Sequence, residues 1–419
     1  MKKKLFIALL LCICAGLFFS CQRADTTDTV TLRFSSWRTE DVAIYTELIG
    51  MFRRQHPNIN VIYEPYRTEE YQTVLATHFQ GGTAADIIHL RAYGNFEQFA
   101  RPGFLMPLTE AEVPELRRFS AQSLGGSTSI TTGRVYGVPY ASQALVIYYN
   151  RDIYNRLNLR VPETWGEFIS NLQAIQNANI NPIANGTFAG WAAEVMWGTM
   201  APNFYGGNDF WDGIQAGTTN FLDPRFIRSL EAWQGLHRFM PSGFTALDYV
   251  DQQMMFVNEM AAHFLGGIWE AAHFSNVNRD LNFGAFIAPP QNGGDPQHIS
   301  FYMDGSFGVN ARTNHRQEAL HFLNFLASRE VQQIISDRLG VKTEHPDVVV
   351  TNPFLQIISA PHLVQTPYVF LVGFRYEHPN GSALMQAGLQ AIAGGQQTPI
   401  QVANDLQTGI ATYHRPFQR

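Results

Sequence analysis

Trp37, Arg38 and Glu40 stand together just after the first strand-like run of this 419-residue chain, and Arg91 and Tyr93 follow a later one. Arg375 and Tyr376 share a polar loop, FRYEHPNGS, near the end. None of these groupings sets a nucleophile beside its base. The aromatic residues suit either a large aromatic core or a surface that binds sugar, where a ring covers the apolar C–H face of a sugar while polar groups take its hydroxyls. Glu270, beside Trp269, is a further acceptor for such hydroxyls, and the preceding Gly266-Gly267 pair lets backbone approach a ligand closely. Trp191 and Trp197 lie six apart and so do not share a helix face. Trp191, nearer the loop, is expected at a cleft and Trp197 in a core.

Bond-breaking chemistry has less to work with. A glycosidase needs two carboxylates about 5 Å or about 6.5–9.5 Å apart, for which Glu40, Asp86, Glu270 and Asp304 are the candidates. No motif pairs them. Ser306 lies in DGSFG, with Asp304 where a G-x-S-x-G elbow needs glycine. The thirteen histidines are scattered without H-E-x-x-H or Cys–His spacing. No catalytic residue, metal site or cofactor is expected.

Composition narrows the class. A 45% hydrophobic fraction is ample for packed cores, and a net charge of −6 with 15% charged residues argues against a nucleic-acid partner. Aromatics reach 13%. Lys2, Lys3 and Lys4 precede an apolar run from Leu5 to Phe19, about fifteen residues and short for a membrane span, as in a secretory signal. Ser20-Cys21 follows, then a polar tail, QRADTTDT, suited to a flexible tether. Cys12 and Cys14 lie inside the signal, so no disulfide is expected after cleavage.

The elements that position these residues read as alternating strands and helices. Val30, Leu32 and Phe34 alternate; Val42, Tyr45, Leu48, Ile49 and Phe52 fall at helical spacing; Ile59, Val61 and Tyr63 alternate again. A helix over Glu69 to Phe79 leads to the apolar strand Asp86 to Leu90. That order predicts a parallel α/β sheet, whose ligands sit beyond the strands' carboxyl ends. Asp86 has an expected structural role at its loop-to-strand junction besides its candidacy as a ligand contact. Ala144 to Tyr149 (ALVIYY) predicts a strand buried on both faces. A short helix over Arg151 to Leu157 follows, and Thr164 with Glu167 forms a capping box before a second. Phe226, Leu230, Trp233 and His237 make a stripe expected in the core.

Five ordered blocks carry a resemblance: QGGTAADIIHL with FARPGFLMPLTE; YGVPY through YYNRD to PETWGEF; FVNEMAAHFLGGIW; NFGAFIAPP; and ALHFLNFLASRE. Their order is similar to that of the bacterial extracellular solute-binding proteins of the sugar-binding type, which serve ATP-binding cassette importers. Ala85 replaces the usual Pro, Asn258 a Gly and His263 a Met; Phe18 and Phe19 depart from the lipobox that Ser20-Cys21 otherwise resembles. The resemblance implies a periplasmic binding protein-like class II fold, two α/β lobes joined by crossings around a ligand cleft. It places one lobe at 29–138 plus 303–345 and the other at 139–302 plus 346–419, after a signal at 1–20 and a tether at 21–28 lipidated at Cys21. It implies a carbohydrate ligand, permease subunits as partners and a monomer anchored by lipid to the outer face of the membrane or in the periplasm. In the family the aromatic at Trp269 stacks on the sugar. Trp37 would be the second platform, with Tyr140 and Asp304 at crossings. The tryptophan that relatives carry near Arg375 is missing, and Tyr376 is its candidate replacement. If Arg38 and Arg375 both line the cleft, an acidic or phosphorylated sugar gains ground over a neutral one.

Overall fold

β1 (Val30–Ser36) opens the computed structural model, which describes residues 29–39, 41–68 and 70–418. The expected leader, Cys21 and Glu40 therefore lie outside the described residues. Leu32 and Phe34 are fully buried at the two-residue spacing that puts side chains on one face of a strand. β1 pairs in parallel with β2 (Ile59–Pro65) and β3 (Ile87–Arg91). The helices Val42–Gln55 and Tyr71–Gly81 make the crossovers. Tyr45, Leu48 and Phe52 form the buried face of the first helix.

Two long strands carry the chain between halves. β4 (Gly137–Asn150) and β8 (His298–Val309) run antiparallel from Gly137 opposite Gly308 to Ala144 opposite Phe301. Beyond Ala144, β4 leaves β8 and pairs with β6 (Ala261–Gly267) and β7 (Phe283–Phe286). β8 in turn pairs with β3 through Gly305–Val309 and with β9 (Val364–Pro367) through its first residues. With β5 (Asn181–Ile183) parallel to β6, the sheet order is β2-β1-β3-β8-β4-β6-β5. The ALVIYY run is thus only the second half of a longer strand. Pro139, Ser142 and Gln143 break its apolar pattern, but pairing with β8 holds them extended.

Each half has its own core. On the β1–β3 side Phe34 packs edge-on against Tyr45, Phe307 and Phe322. On the other, Trp197, Phe226, Trp233 and Phe370 belong to one large cluster. A third segment runs beside the crossing strands, where Ser142 N–H donates to Lys342 O at 2.8 Å. There the Glu344 carboxylate accepts from Ser123 (2.7 Å), Ser142 (2.6 Å) and Lys342 Nζ (2.8 Å). Two α/β lobes joined by extended strands result.

The capping box needs one amendment. Thr164 Oγ1 accepts from Glu167 N, starting the helix Trp165–Asn177, but the Glu167 carboxylate reaches back to Glu163 N at 2.8 Å rather than to Thr164.

His263 on β6 is fully buried, and its place explains its departure from the usual Met. Nδ1 lies 2.8 Å from Pro182 O and so must donate, which leaves Nε2 to accept from the Tyr154 hydroxyl at 2.7 Å. Burial lowers its pKa to about 4. A histidine protonating near 6.5 when unfolded but near 4 when folded gives the unfolded state the extra proton between those values. Stability is therefore full above about pH 6.5 and falls as pH drops toward 4, by about 3 kcal/mol from this group alone. Urea midpoints of the wild type and His263→Gln from pH 7.5 to 4.5 should show a shallower acid loss in the variant.

Candidate functional site

A cleft of about 610 Å³ opens where the two long strands cross from one lobe to the other. The helix face Trp191–Glu194–Val195, at spacings of three and four, supplies one wall. Tyr249 and Trp269 continue that wall. Trp191 and Tyr249 approach to 4.3 Å between centroids, and Trp269 Nε1 donates to the Tyr249 hydroxyl at 3.0 Å. Trp191 is 41% exposed, a large ring left uncovered at the cleft, whereas Trp197 is fully buried.

The space over the Gly266-Gly267 pair is filled by the protein's own rings, Trp269 over Gly267 and Phe264 over Gly266. A methyl on Gly267 would lie 1.8–2.1 Å from the Trp269 ring, and one on Gly266 would meet the Phe264 ring at 2.5 Å. The indole lies flat over Gly267 because nothing projects there. Its position is built by the glycine.

The opposite wall comes from the carboxyl ends of β1 and β3, where Trp37, Arg38 and Arg91 line the cleft. Trp37 is not the open platform expected of it. It is 4% exposed, with the His89 ring 4.0 Å from its own and the Arg91 guanidinium 4.8 Å from its centroid. Its face thus supports Arg91 through a cation–π contact. Arg38 is paired with Asp41 at 2.6 Å.

The floor is polar. Gln143 Nε2 donates to Asp304 Oδ2 at 3.2 Å, and Gln143 Oε1 is buried without a partner among the described residues. Glu194 Oε2 accepts from Gln386 at 2.7 Å and from Ser382, with Arg375 Nη2 3.6 Å away; among the described residues no donor lies within hydrogen-bond distance of its buried Oε1. Buried acceptors in this state cost free energy until a donor reaches them. Arg375 is anchored to Ser382 at 2.8 Å.

The remaining expected residues are placed elsewhere. Asp86 accepts from Arg33 N at 2.9 Å and from the Thr313 hydroxyl, a structural tie between β1 and a distant loop. Tyr93, at φ 60°, receives Met303 N–H on its hydroxyl at 3.0 Å and pins the helix Gly94–Ala100 to β8. Tyr140 is buried against His89 and Phe307. Glu270 is buried beneath the cleft wall, accepting from Gln253 at 2.8 Å, and burial holds its carboxyl well above the usual range. Tyr376 is half-buried behind the floor and lines no part of the cleft.

Several lining residues went unnoticed in the sequence. Glu194 is three residues from Trp191 on one helix, and Tyr302 two from Asp304 on one strand, so periodicity could have found both. Tyr249, Tyr368 and Gln143 carried no local signal. Among the described residues there is no cluster of metal-binding side chains, and no helix long and apolar enough to cross a membrane.

Residues 36–333 match the family model for bacterial extracellular solute-binding protein. An ABC transporter extracellular-binding protein of Pyrococcus horikoshii is 28% identical over 216 residues, half of each chain. The multiple sugar-binding protein of Streptococcus mutans is 23% identical over 317 residues, 73% of each chain. A solved structure from work on xylan utilization by Caldanaerobius polysaccharolyticus aligns with TM-score 0.78 at 20% identity, covering 90% of this chain and 99% of that one. The fold is shared: periplasmic binding protein-like, with two α/β lobes around a cleft.

Proposed function

Since this chain belongs to the bacterial extracellular solute-binding protein family, we propose that it captures a carbohydrate between its lobes and presents it to the permease of an ATP-binding cassette importer. The observation that carries this is the pairing of the Trp191–Tyr249–Trp269 aromatic wall with unpartnered buried acceptors on the floor. Rings suit the apolar faces of pyranoses, and Gln143 and Glu194 await hydroxyl donors. That the Streptococcus relative is a multiple sugar-binding protein supports the same reading.

The mechanism is population shift. A ligand touching both walls has more contact in the closed arrangement and stabilises it by that difference in affinity. Trp269 is the stacking ring; Asp304, Gln143 and Glu194 accept hydroxyls; Arg38, Arg91 and Arg375 donate. The chain is a binder, not an enzyme, working as an exported monomer held by lipid at Cys21, with lobes divided as 29–138 plus 303–345 and 139–302 plus 346–419. A polyol is the second ligand class the same walls accommodate.

A thermal-shift screen of the purified protein against mono-, di- and oligosaccharides and polyols tests this. A ligand at 100 times its Kd should add about 2.7 kcal/mol of stability, a shift of a few degrees. A panel without a single shift would sink the carbohydrate reading.

A further inference from the structure

We propose that the carbohydrate is anionic, and that its carboxylate or phosphate group docks on Arg91. This rests on the carbohydrate reading above and narrows it. Of the three arginines lining the cleft, two already have counter-charges: Arg38 has Asp41, and Arg375 has Glu194. Arg91 forms no ion pair with a carboxylate among the described residues. Among the described residues its guanidinium makes one protein hydrogen bond, from Nη2 to Thr68 O at 3.1 Å. A guanidinium carries five N–H donors, so most of its fork remains available to the cleft.

The guanidinium is also held in place before any ligand arrives. The Trp37 ring lies beneath it at 4.8 Å, itself fixed by His89, and Thr68 O fixes one amino group. A planar donor fork stacked on an aromatic face and open on one side is the arrangement that takes a carboxylate or phosphate with two parallel hydrogen bonds. Burial lowers Arg91's affinity for its own proton; Asp304 offsets part of this, and Arg375 adds a second positive charge facing the same space. Desolvating a cation in this way is unfavourable unless an anion compensates. Asp304, the cleft's other carboxylate, stands near Arg91 but outside pairing distance, and Gln143 Nε2 donates to it. It would repel an anion placed beside it, so the ligand's hydroxyls belong at Asp304 and its charge at Arg91.

Calorimetric titration compares galacturonate, its di- and trimers and hexose phosphates, each beside its neutral counterpart, with inorganic phosphate as the anion alone. An anionic sugar should bind at least about tenfold more tightly than its neutral partner. Arg91→Gln should erase that preference, with a urea midpoint near wild type showing that the variant folds; Arg91→Lys should keep part of the preference. The preference should shrink as salt rises. Whether uronates or phosphates show it identifies the anion. Neutral sugars binding as tightly as their anionic partners, or an unchanged preference in Arg91→Gln, would overturn the anionic assignment and leave the carbohydrate reading standing. Inorganic phosphate alone competing as well as any sugar would overturn it too. No binding by either form of any sugar would count against both.

Discussion

Gly267→Ala should weaken carbohydrate binding about as much as Trp269→Ala, at least about 30-fold, although it deletes nothing from the cleft. The added methyl would sit about 2 Å from three atoms of the indole, well inside contact distance. Strand β6 cannot yield easily, because Gly267 O accepts from the Tyr148 hydroxyl at 2.9 Å and Gly267 pairs with Leu145. The indole must therefore swing outward, breaking its hydrogen bond to Tyr249 and occupying the space meant for the ligand. Equal losses in the two variants, with urea midpoints near wild type for Trp269→Ala, would place the effect in the ring's position. If Gly267→Ala bound sugar normally, the glycine would not be what seats the ring.

Trp197→Ala should cost about 3–5 kcal/mol of stability, the range for removing a large buried aromatic. Its ring meets Tyr205, Phe226 and Phe370, all at 5.7–6.1 Å between centroids, and its Nε1 donates to Ser229 Oγ at 3.1 Å. Ser229 keeps its own bond to Phe226 O, so the loss is mainly the cavity. Trp191→Ala, six residues earlier on the same helix, should change stability by less than about 1 kcal/mol, because the ring is exposed. It should instead weaken sugar binding. Urea unfolding and calorimetry on the two variants should give opposite profiles, and similar stability losses would contradict the assignment of the two faces.

That contrast marks what could be read from residues alone. Six positions on a helix leave two side chains about 120° apart around its axis, so the two tryptophans could not share a face, and the loop-side ring went to the cleft. The strands of the first lobe were legible for the same reason: alternation at Leu32, Phe34, Val61 and Tyr63 needs nothing beyond a sheet with one packed face. Asp86 was legible as a junction residue because it sits between loop and strand. What could not be read was which neighbour reaches a side chain through space. Trp37 follows a strand's carboxyl end, as a ligand-stacking ring should, yet His89 and Arg91 arrive from another strand and occupy it. Glu270 adjoins Trp269 in sequence, but the helix it starts turns its carboxyl inward to Gln253. Tyr249 reached the cleft from a helix with no motif, recruited by the indole across twenty residues. Glu194 and Tyr302 needed only the periodic rule applied one step further.

The most direct test of the cleft as a carbohydrate site is a calorimetric titration of the purified protein with the best oligosaccharide from the screen, run in parallel on Trp269→Ala. Saturable one-to-one binding is expected in the wild type and at least about a 30-fold loss in the variant. Binding of equal strength in both would contradict it, because a ligand indifferent to Trp269 does not lie between these walls.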